Sequence, residues 1–265
     1  MKVGKYTVDI INEGTILKDG GIEFAGMPKK EWEEIITPDE NNKILFGSNI
    51  LLIRGPKINI LVDTGLGTKK NESVSMDDLL NPYGIDTSDI NYVVLTHLHR
   101  EHCGGSTKQI GEDVVPTFKN ACYIIQKEEW DSVLLPNVNA AEHGAKNYLP
   151  LLERGQIKLI NGNIELVPGV FVEITGGHTV GHQIVIIEDS IEDVIYFGDI
   201  CPTSLHLSTI RHEAFDFSPL ETVTMREKLL CKAVQNNCLV VFPHDLKGKF
   251  YRVFEDNNQF KAVEA

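Results

Sequence analysis

The chain has 265 residues, 42% of them hydrophobic, and a formal net charge of −13. That length and apolar content suit one large domain or two small ones. The acidic balance repels phosphate backbones and points away from nucleic acid. No stretch approaches the ~20 apolar residues of a membrane span, and no apolar signal core follows Met1-Lys2-Val3-Gly4-Lys5. The five cysteines, Cys103, Cys122, Cys201, Cys231 and Cys238, form no CxxC pair and read as reduced thiols of a cytoplasmic protein.

In chain order, Tyr6 to Leu17 alternates loosely and predicts a strand, closed by a turn at Asp19-Gly20-Gly21. Lys29 to Ile36 follows a Pro and predicts a short helix. Phe24, Met27 and Trp32 are large apolar groups in an otherwise polar arm. They either pack the arm onto the core or form a substrate-pocket wall or a contact in a homodimer. Ile50 to Arg54 and Ile58 to Val62 predict two strands joined at Gly55-Pro56, and the second runs into Asp63-Thr64-Gly65. Asp63 suits a loop cap or a partner for the N–H of a metal-ligating histidine.

Asn71 to Ile90 is polar with short apolar patches and is expected to cover the surface. Further strands are expected over 92–95, 121–126, 157–160, 170–174, 184–187, 194–197 and 239–242. Helices are expected over 127–135, 140–152 and 220–234, the last with apolar residues at helical spacing. No repeat, low-complexity run or linker interrupts the chain, so residues 1–265 read as one domain with an arm at about 19–48.

The chemistry lies at the strand ends. Tyr92 to Leu95 runs into Thr96-His97-Leu98-His99-Arg100-Glu101-His102, three histidines and a carboxylate within six residues. His97 and His99 are two apart, which on an extended backbone places them on one side. Imidazole is the commonest metal ligand in proteins. The strand to Thr175 exits into Gly176-Gly177-His178-Thr179-Val180-Gly181-His182, that to Phe197 into Gly198-Asp199, and that to Pro243 into His244-Asp245. Four apolar strands ending on His or Asp can form one cluster at one edge of a sheet. His182 suits a supporting role, and His206 and His212 suit ordinary surface or core positions within reach of the rim.

These residues resemble the metallo-β-lactamase-fold hydrolases, whose signature is H-x-H-x-D-H, a distant His in G-H-T-x-G-H, then Gly-Asp and a final His. Here the matching positions are His97, His99, Glu101, His102, His178, Asp199 and His244. The arm from Asp19-Gly20-Gly21 through Met27-Pro28-Lys29 to Trp32 looks like the subgroup of lactonases and organophosphate hydrolases. The resemblance implies an α/β fold, a four-layer αβ/βα sandwich of two mixed β-sheets with helices outside. It also implies two divalent metal ions, zinc first, with iron or manganese as alternatives. His97, His99 and His178 would hold one metal, Glu101, His102 and His244 the second, and Asp199 would bridge them.

Such a pair lowers the pKa of a shared water, giving a metal-bound hydroxide that cleaves small esters, lactones or phosphotriesters. In the family the residue at position 101 is Asp; it ligates the second metal and passes a proton to the leaving group. Glu101 is one methylene longer, so looser occupancy of the second site is expected. Acyl-homoserine lactonases commonly carry a Tyr shortly after the bridging Asp. The run Ile200-Cys201-Pro202-Thr203 lacks it, which weakens that particular substrate. Two other readings are a mono-iron thiol or persulfide oxygenase on the same fold and a non-catalytic metal-binding protein. Small molecules are the expected partners, with neither nucleic acid nor membrane.

Overall fold

The computed structural model describes residues 1–67, 74–134, 148–208 and 211–265. In chain order, β1 (Lys2–Val3), β2 (Tyr6–Asp19), β3 (Lys43–Gly55), β4 (Ile58–Val62) and β5 (Tyr92–Val94) precede a separate hairpin of β6 (Thr107–Ile110) and β7 (Asp113–Pro116). After β8 (Cys122–Gln126) and β9 (Ile157–Ile160), the second half contributes β10 (Ile164–Val167), β11 (Val170–Ile174), β12 (Gln183–Ile187), β13 (Val194–Tyr196), β14 (Leu239–Val241), β15 (Tyr251–Asp256) and β16 (Gln259–Glu264). One seven-stranded sheet has the order β1-β2-β3-β4-β5-β8-β9, and the other runs β10 to β16 in sequence. Both are mixed. β4, β5, β8 and β9 pair in parallel, as do β13 and β14, and the remaining neighbours are antiparallel.

The sandwich follows from strands that are apolar on both faces. In β12, Val185 and Ile187 point into the space between the sheets, against Leu51, Ile53, Ile60 and Val94 of the first sheet. Their neighbours Ile184 and Ile186 point outward onto Leu229, Leu230 and Ala233. Those three belong to the helix Pro219–Gln235, which matches the helical spacing read over 220–234. On the outside of the first sheet, Leu52, Leu61 and Val93 pack against Met76, Leu80, Trp130 and Leu151 from three short helices. Period-two alternation with both faces covered gives four layers, helix, sheet, sheet, helix.

Several local expectations change. The helix after Pro28 spans only Lys29–Trp32. Within 71–90, Met76, Leu80 and Ile90 are buried, because this segment roofs the first sheet as well as facing water. The helix read over 140–152 falls largely outside the described residues, and its end is seen as Leu149–Glu153. The hairpin β6–β7, the strand β10 and the terminal pair β15–β16 are additions. In the arm, Phe24 and Trp32 are buried with Ile44 and Phe46, and Met27 packs on that cluster. Of the roles open to these three side chains, fastening the arm is the one seen.

Candidate metal centre

The two sheets are stitched together where their strands end. Gln183 donates through its backbone N to Thr96 O at 2.9 Å and through Nε2 to Leu95 O at 2.7 Å. This joins the end of β5 to the start of β12 and so brings the His97 loop beside the His178–His182 loop. Glu129, 1% exposed, bridges the same loops by accepting from Leu98 N and Gly181 N. On the other side, Gly47 N donates to His244 O at 3.0 Å. A Cβ at Gly47 would lie 2.1 Å from Asp245 O, so the close approach of β3 to the 243–245 turn requires glycine.

Five imidazoles and two carboxylates converge at this junction. The ligand atoms of His97, His99 and His178 lie within 4.8 Å of one another, as do those of Glu101, His102 and His244 and those of His97, His102 and Asp199. Asp199 is central: Oδ2 is 3.1 Å from His102 Nε2, 3.6 Å from His178 Nε2 and 3.9 Å from His97 Nε2, and Oδ1 is 3.4 Å from His244 Nε2. His99 enters through the other nitrogen, its Nδ1 lying 3.0 Å from His97 Nε2 and 3.1 Å from His178 Nε2. All seven residues at the signature positions therefore meet in one place.

The outward nitrogens are held as well. His102 Nδ1 is 2.8 Å from Asp63 Oδ2, and His178 Nδ1 is 2.8 Å from Asp216 Oδ1. His244 Nδ1–H donates to Gly47 O at 3.0 Å. Thr96 Oγ1 lies within 3.0 Å of both Asp63 oxygens, which accept its only hydrogen, so His97 Nδ1–H donates to Thr96 Oγ1. Each of these bonds leaves a lone pair on Nε2 once the ring is neutral, and that nitrogen faces the cluster. Asp199 Oδ1 and His244 Nε2 are buried there without a hydrogen-bond partner. Buried polar atoms left unsatisfied are rare, and here they face imidazole and carboxylate donors suited to a borderline divalent cation. The donor set fits a pair of such ions.

Electrostatics in the metal-free chain follow from this crowding. Burial lowers the His97 pKa well below the usual imidazole value, and the rings of His102, His99 and His178 add to it. Burial also opposes charge on His178, but the Asp216 hydrogen bond and the Asp199 and Glu213 carboxylates outweigh it and push the pKa up to about 9. For Asp199 burial works upward, yet His102 and His244 hold the carboxyl well below the usual carboxylate range. Burial likewise opposes charge on Glu101, and Lys18 first, then His102, His99 and His244, bring it down.

The other described histidines, His182, His206 and His212, lie off the cluster. Asp199 N donates to His182 Nε2 at 3.0 Å, so His182 holds the Gly198–Asp199 turn. A Cβ on Gly198, at φ +53°, would lie 2.5 Å from that nitrogen. His206 is buried against the Phe24 ring, at a centroid distance of 4.8 Å, and His212 pairs with Ala25. Beside the cluster a cavity of about 200 Å³ is lined by Lys18, Ile22, Glu23, Glu213 and Phe215, with His99, Glu101, His178 and Asp199 at its floor. Its apolar wall is Ile22 and Phe215 rather than Phe24, Met27 and Trp32. Sequence reasoning missed Lys18, Glu23, Glu129, Glu213 and Asp216, none of which stands in a local pattern that marks it. Of the side chains that support the cluster, Asp63 and His182 were anticipated, and Thr96, adjacent to His97, was open to inference.

A fold of two mixed sheets with this nest of histidines and carboxylates at one edge defines a class, and the chain belongs to the metallo-beta-lactamase superfamily, whose profile matches residues 44–244. Among individual proteins it is 28% identical to the N-acyl homoserine lactonase AiiA of Bacillus thuringiensis subsp. kurstaki over 206 residues, 71% of this chain and 69% of the relative. A crystal structure of a probable metal-dependent hydrolase from Staphylococcus aureus superposes with a TM-score of 0.88 at 28% identity, covering 100% of this chain and 99% of that one. The fold is also that of AidC, a dizinc quorum-quenching lactonase solved with the product N-hexnoyl-L-homoserine, at a TM-score of 0.83 and 20% identity over 100% and 96% of the two chains.

Proposed function

We propose that this protein is a metal-dependent hydrolase of lactones and other small esters, with phosphotriesters as a further substrate class, and that residues 1–265 act as one such domain with 19–48 as its arm. The observation that carries the reading is the two ligand trios with Asp199 grouped with a histidine of each, and with Asp199 Oδ1 and His244 Nε2 buried 3.4 Å apart without a hydrogen bond. His97, His99 and His178 would hold one divalent ion, Glu101, His102 and His244 the other, and Asp199 both. Zinc is the first choice for imidazole and carboxylate donors, and iron or manganese also suit them. Bound there, the ions supply Lewis acidity and an activated water at neutral pH.

The protein's own groups do the rest. Thr96, Asp63, Asp216 and the Gly47 carbonyl fix four imidazoles before substrate arrives, which limits reorganisation during reaction. Ile22 and Phe215 give the small cavity an apolar wall for the body of an ester, while Glu101, ionised beside them, would take up the proton of the attacking water and pass it to the leaving oxygen. Lactones lead the substrate list because the curated relatives are N-acyl homoserine lactonases. The protein would then act on small molecules in the cytoplasm, in keeping with five cysteines that form no disulfide. The test is elemental analysis of the purified protein together with a panel of lactones, aryl esters and phosphotriesters. Close to two zinc-like ions per chain with lactone turnover, both lost in His97→Ala or His178→Ala, is expected. A single iron with oxygen consumption in place of hydrolysis would overturn it.

A further inference from the structure

Glu101 stands where the family signature has Asp, and the structure shows what meets its longer side chain. Lys18, at the end of β2, places Nζ 3.4 Å from Glu101 Oε1, 3.6 Å from Glu23 Oε1 and 4.0 Å from Glu213 Oε1. Its side chain is 15% exposed, and those of Glu23 and Glu213 are 4% and 3% exposed. Glu213 also faces His178, its Oε2 lying 3.4 Å from Nδ1, so Lys18 sits among acids that belong to the rim of the same cluster. A lysine is rarely this buried unless it is paired. Here its three carboxylate partners are arranged so that the ammonium rests against Glu101.

Of the second trio, Glu101, His102 and His244, only Glu101 carries a formal negative charge, and that is the charge Lys18 engages. A dication seated in this trio would have to share Glu101 with an ammonium and would sit beside a like charge. Both trios have a carboxylate behind a ring, Asp216 at 2.8 Å and Glu213 at 3.4 Å from His178 Nδ1 in the first and Asp63 at 2.8 Å from His102 Nδ1 in the second. What makes the two halves electrostatically unequal is the ammonium set against Glu101.

We propose that Lys18 is a built-in cationic competitor for the second metal: it holds Glu101 while that site is empty and weakens the site relative to the first, so that the two ions load in sequence. The inference rests on the metal-centre reading above. It adds a positioning residue for Glu101 and an order of filling. An aspartate at position 101 would draw its carboxylate away from Lys18, so the competition belongs to this pairing of Glu101 with Lys18.

The experiment is a titration of chelator-treated, dialysed protein with Zn²⁺ against a chromogenic chelator, repeated with Co²⁺ and followed by its visible absorption. Wild type is expected to bind two ions in distinct steps. Lys18→Met is expected to tighten the weaker step by about tenfold or more, as loss of a like charge near a dication requires, and to leave the tighter step in place. Lys18→Arg keeps the charge and is expected to keep the gap. Because Lys18→Met leaves buried acids without their ammonium, Lys18→Met/Glu23→Gln, which removes the ammonium together with one of the acids it contacts, guards against misfolding and is expected to behave alike. A weaker or unchanged second step in these variants, with two ions still bound by wild type, would overturn the competitor role alone. Failure of wild type to bind any ion would overturn the metal-centre reading and the competitor with it.

Discussion

At the scale of single residues, the centre depends on side chains that never enter it. Asp63 sits at φ +62°, an uncommon conformation that Asp tolerates better than most residues, and accepts from Thr96 N at 2.8 Å while facing His102 Nδ1 at 2.8 Å. The same carboxylate thus caps a loop and orients a ring, the two roles its sequence position suggested. Asp216 does for His178 what Asp63 does for His102, from a segment fastened by Phe217 N to His178 O at 2.9 Å. Asp63→Asn and Asp216→Asn should each lower metal affinity by roughly the 10–100-fold typical of such outer partners, with no ligand removed. Asp216→Asn should act mainly on the step filled by the first trio, whereas Asp63→Asn should act on both, through His102 directly and through Thr96 on His97. Two-step metal titrations check this, and an Asp216→Asn effect confined to the other step would count against the assignment of His178 to the first trio.

At the scale of elements, the arm packs over a titratable ring of the 204–206 turn, which its Phe24 ring and Glu23 carbonyl contact. His206 is fully buried, with Nε2–H donating to Glu23 O at 3.0 Å and Nδ1 2.8 Å from Thr203 Oγ1. Burial, helped by Arg226, lowers its pKa from 6.5 to about 3. The folded ring stays neutral while the unfolded chain takes up a proton below about pH 6.5. What neutral His206 contributes to stability is therefore complete above that pH and is lost progressively as pH falls towards 3. Urea denaturation at pH 7.5 and 5.5 should show the decline. His206→Gln should decline less steeply over the same interval, and a parallel decline would place the titration elsewhere.

At the scale of the whole molecule, the two sheets meet through apolar strands along most of their length and through polar, chargeable groups at one edge. His97, His102, His178, Asp199 and His244 are each 2% exposed or less, so in the metal-free chain that edge buries charge without full compensation. Cations bound there stabilise the folded state by mass action, by about 2.7 kcal/mol at a free concentration 100 times the dissociation constant. Chelation is expected to lower the Tm, and re-addition of Zn²⁺ should raise it in a concentration-dependent way. Identical melting curves with and without chelator would show that no such binding occurs.

Much of this was legible in the chain itself. Runs such as Tyr92 to Leu95 and Val194 to Phe197 declare buried strands, and the His or Asp that follows each declares a polar turn, because these are local features of period and turn chemistry. The seven positions of the signature stand out for that reason, as does the helix Pro219–Gln235. What local pattern does not carry is which distant segments touch. Phe24 and Trp32 were open between a pocket wall and packing, and only the arrangement of the arm over Ile44 and Phe46 decided it. Lys18 lies 83 positions before Glu101, and Asp216 lies 38 after His178, with nothing around either to mark it. The sequence by itself determined most of the strands and the cluster of histidines and carboxylates at their ends. The tertiary structure alone decided that a lysine from β2 would lie against Glu101, since sheet pairing and loop closure join groups whose separation along the chain leaves no periodic trace.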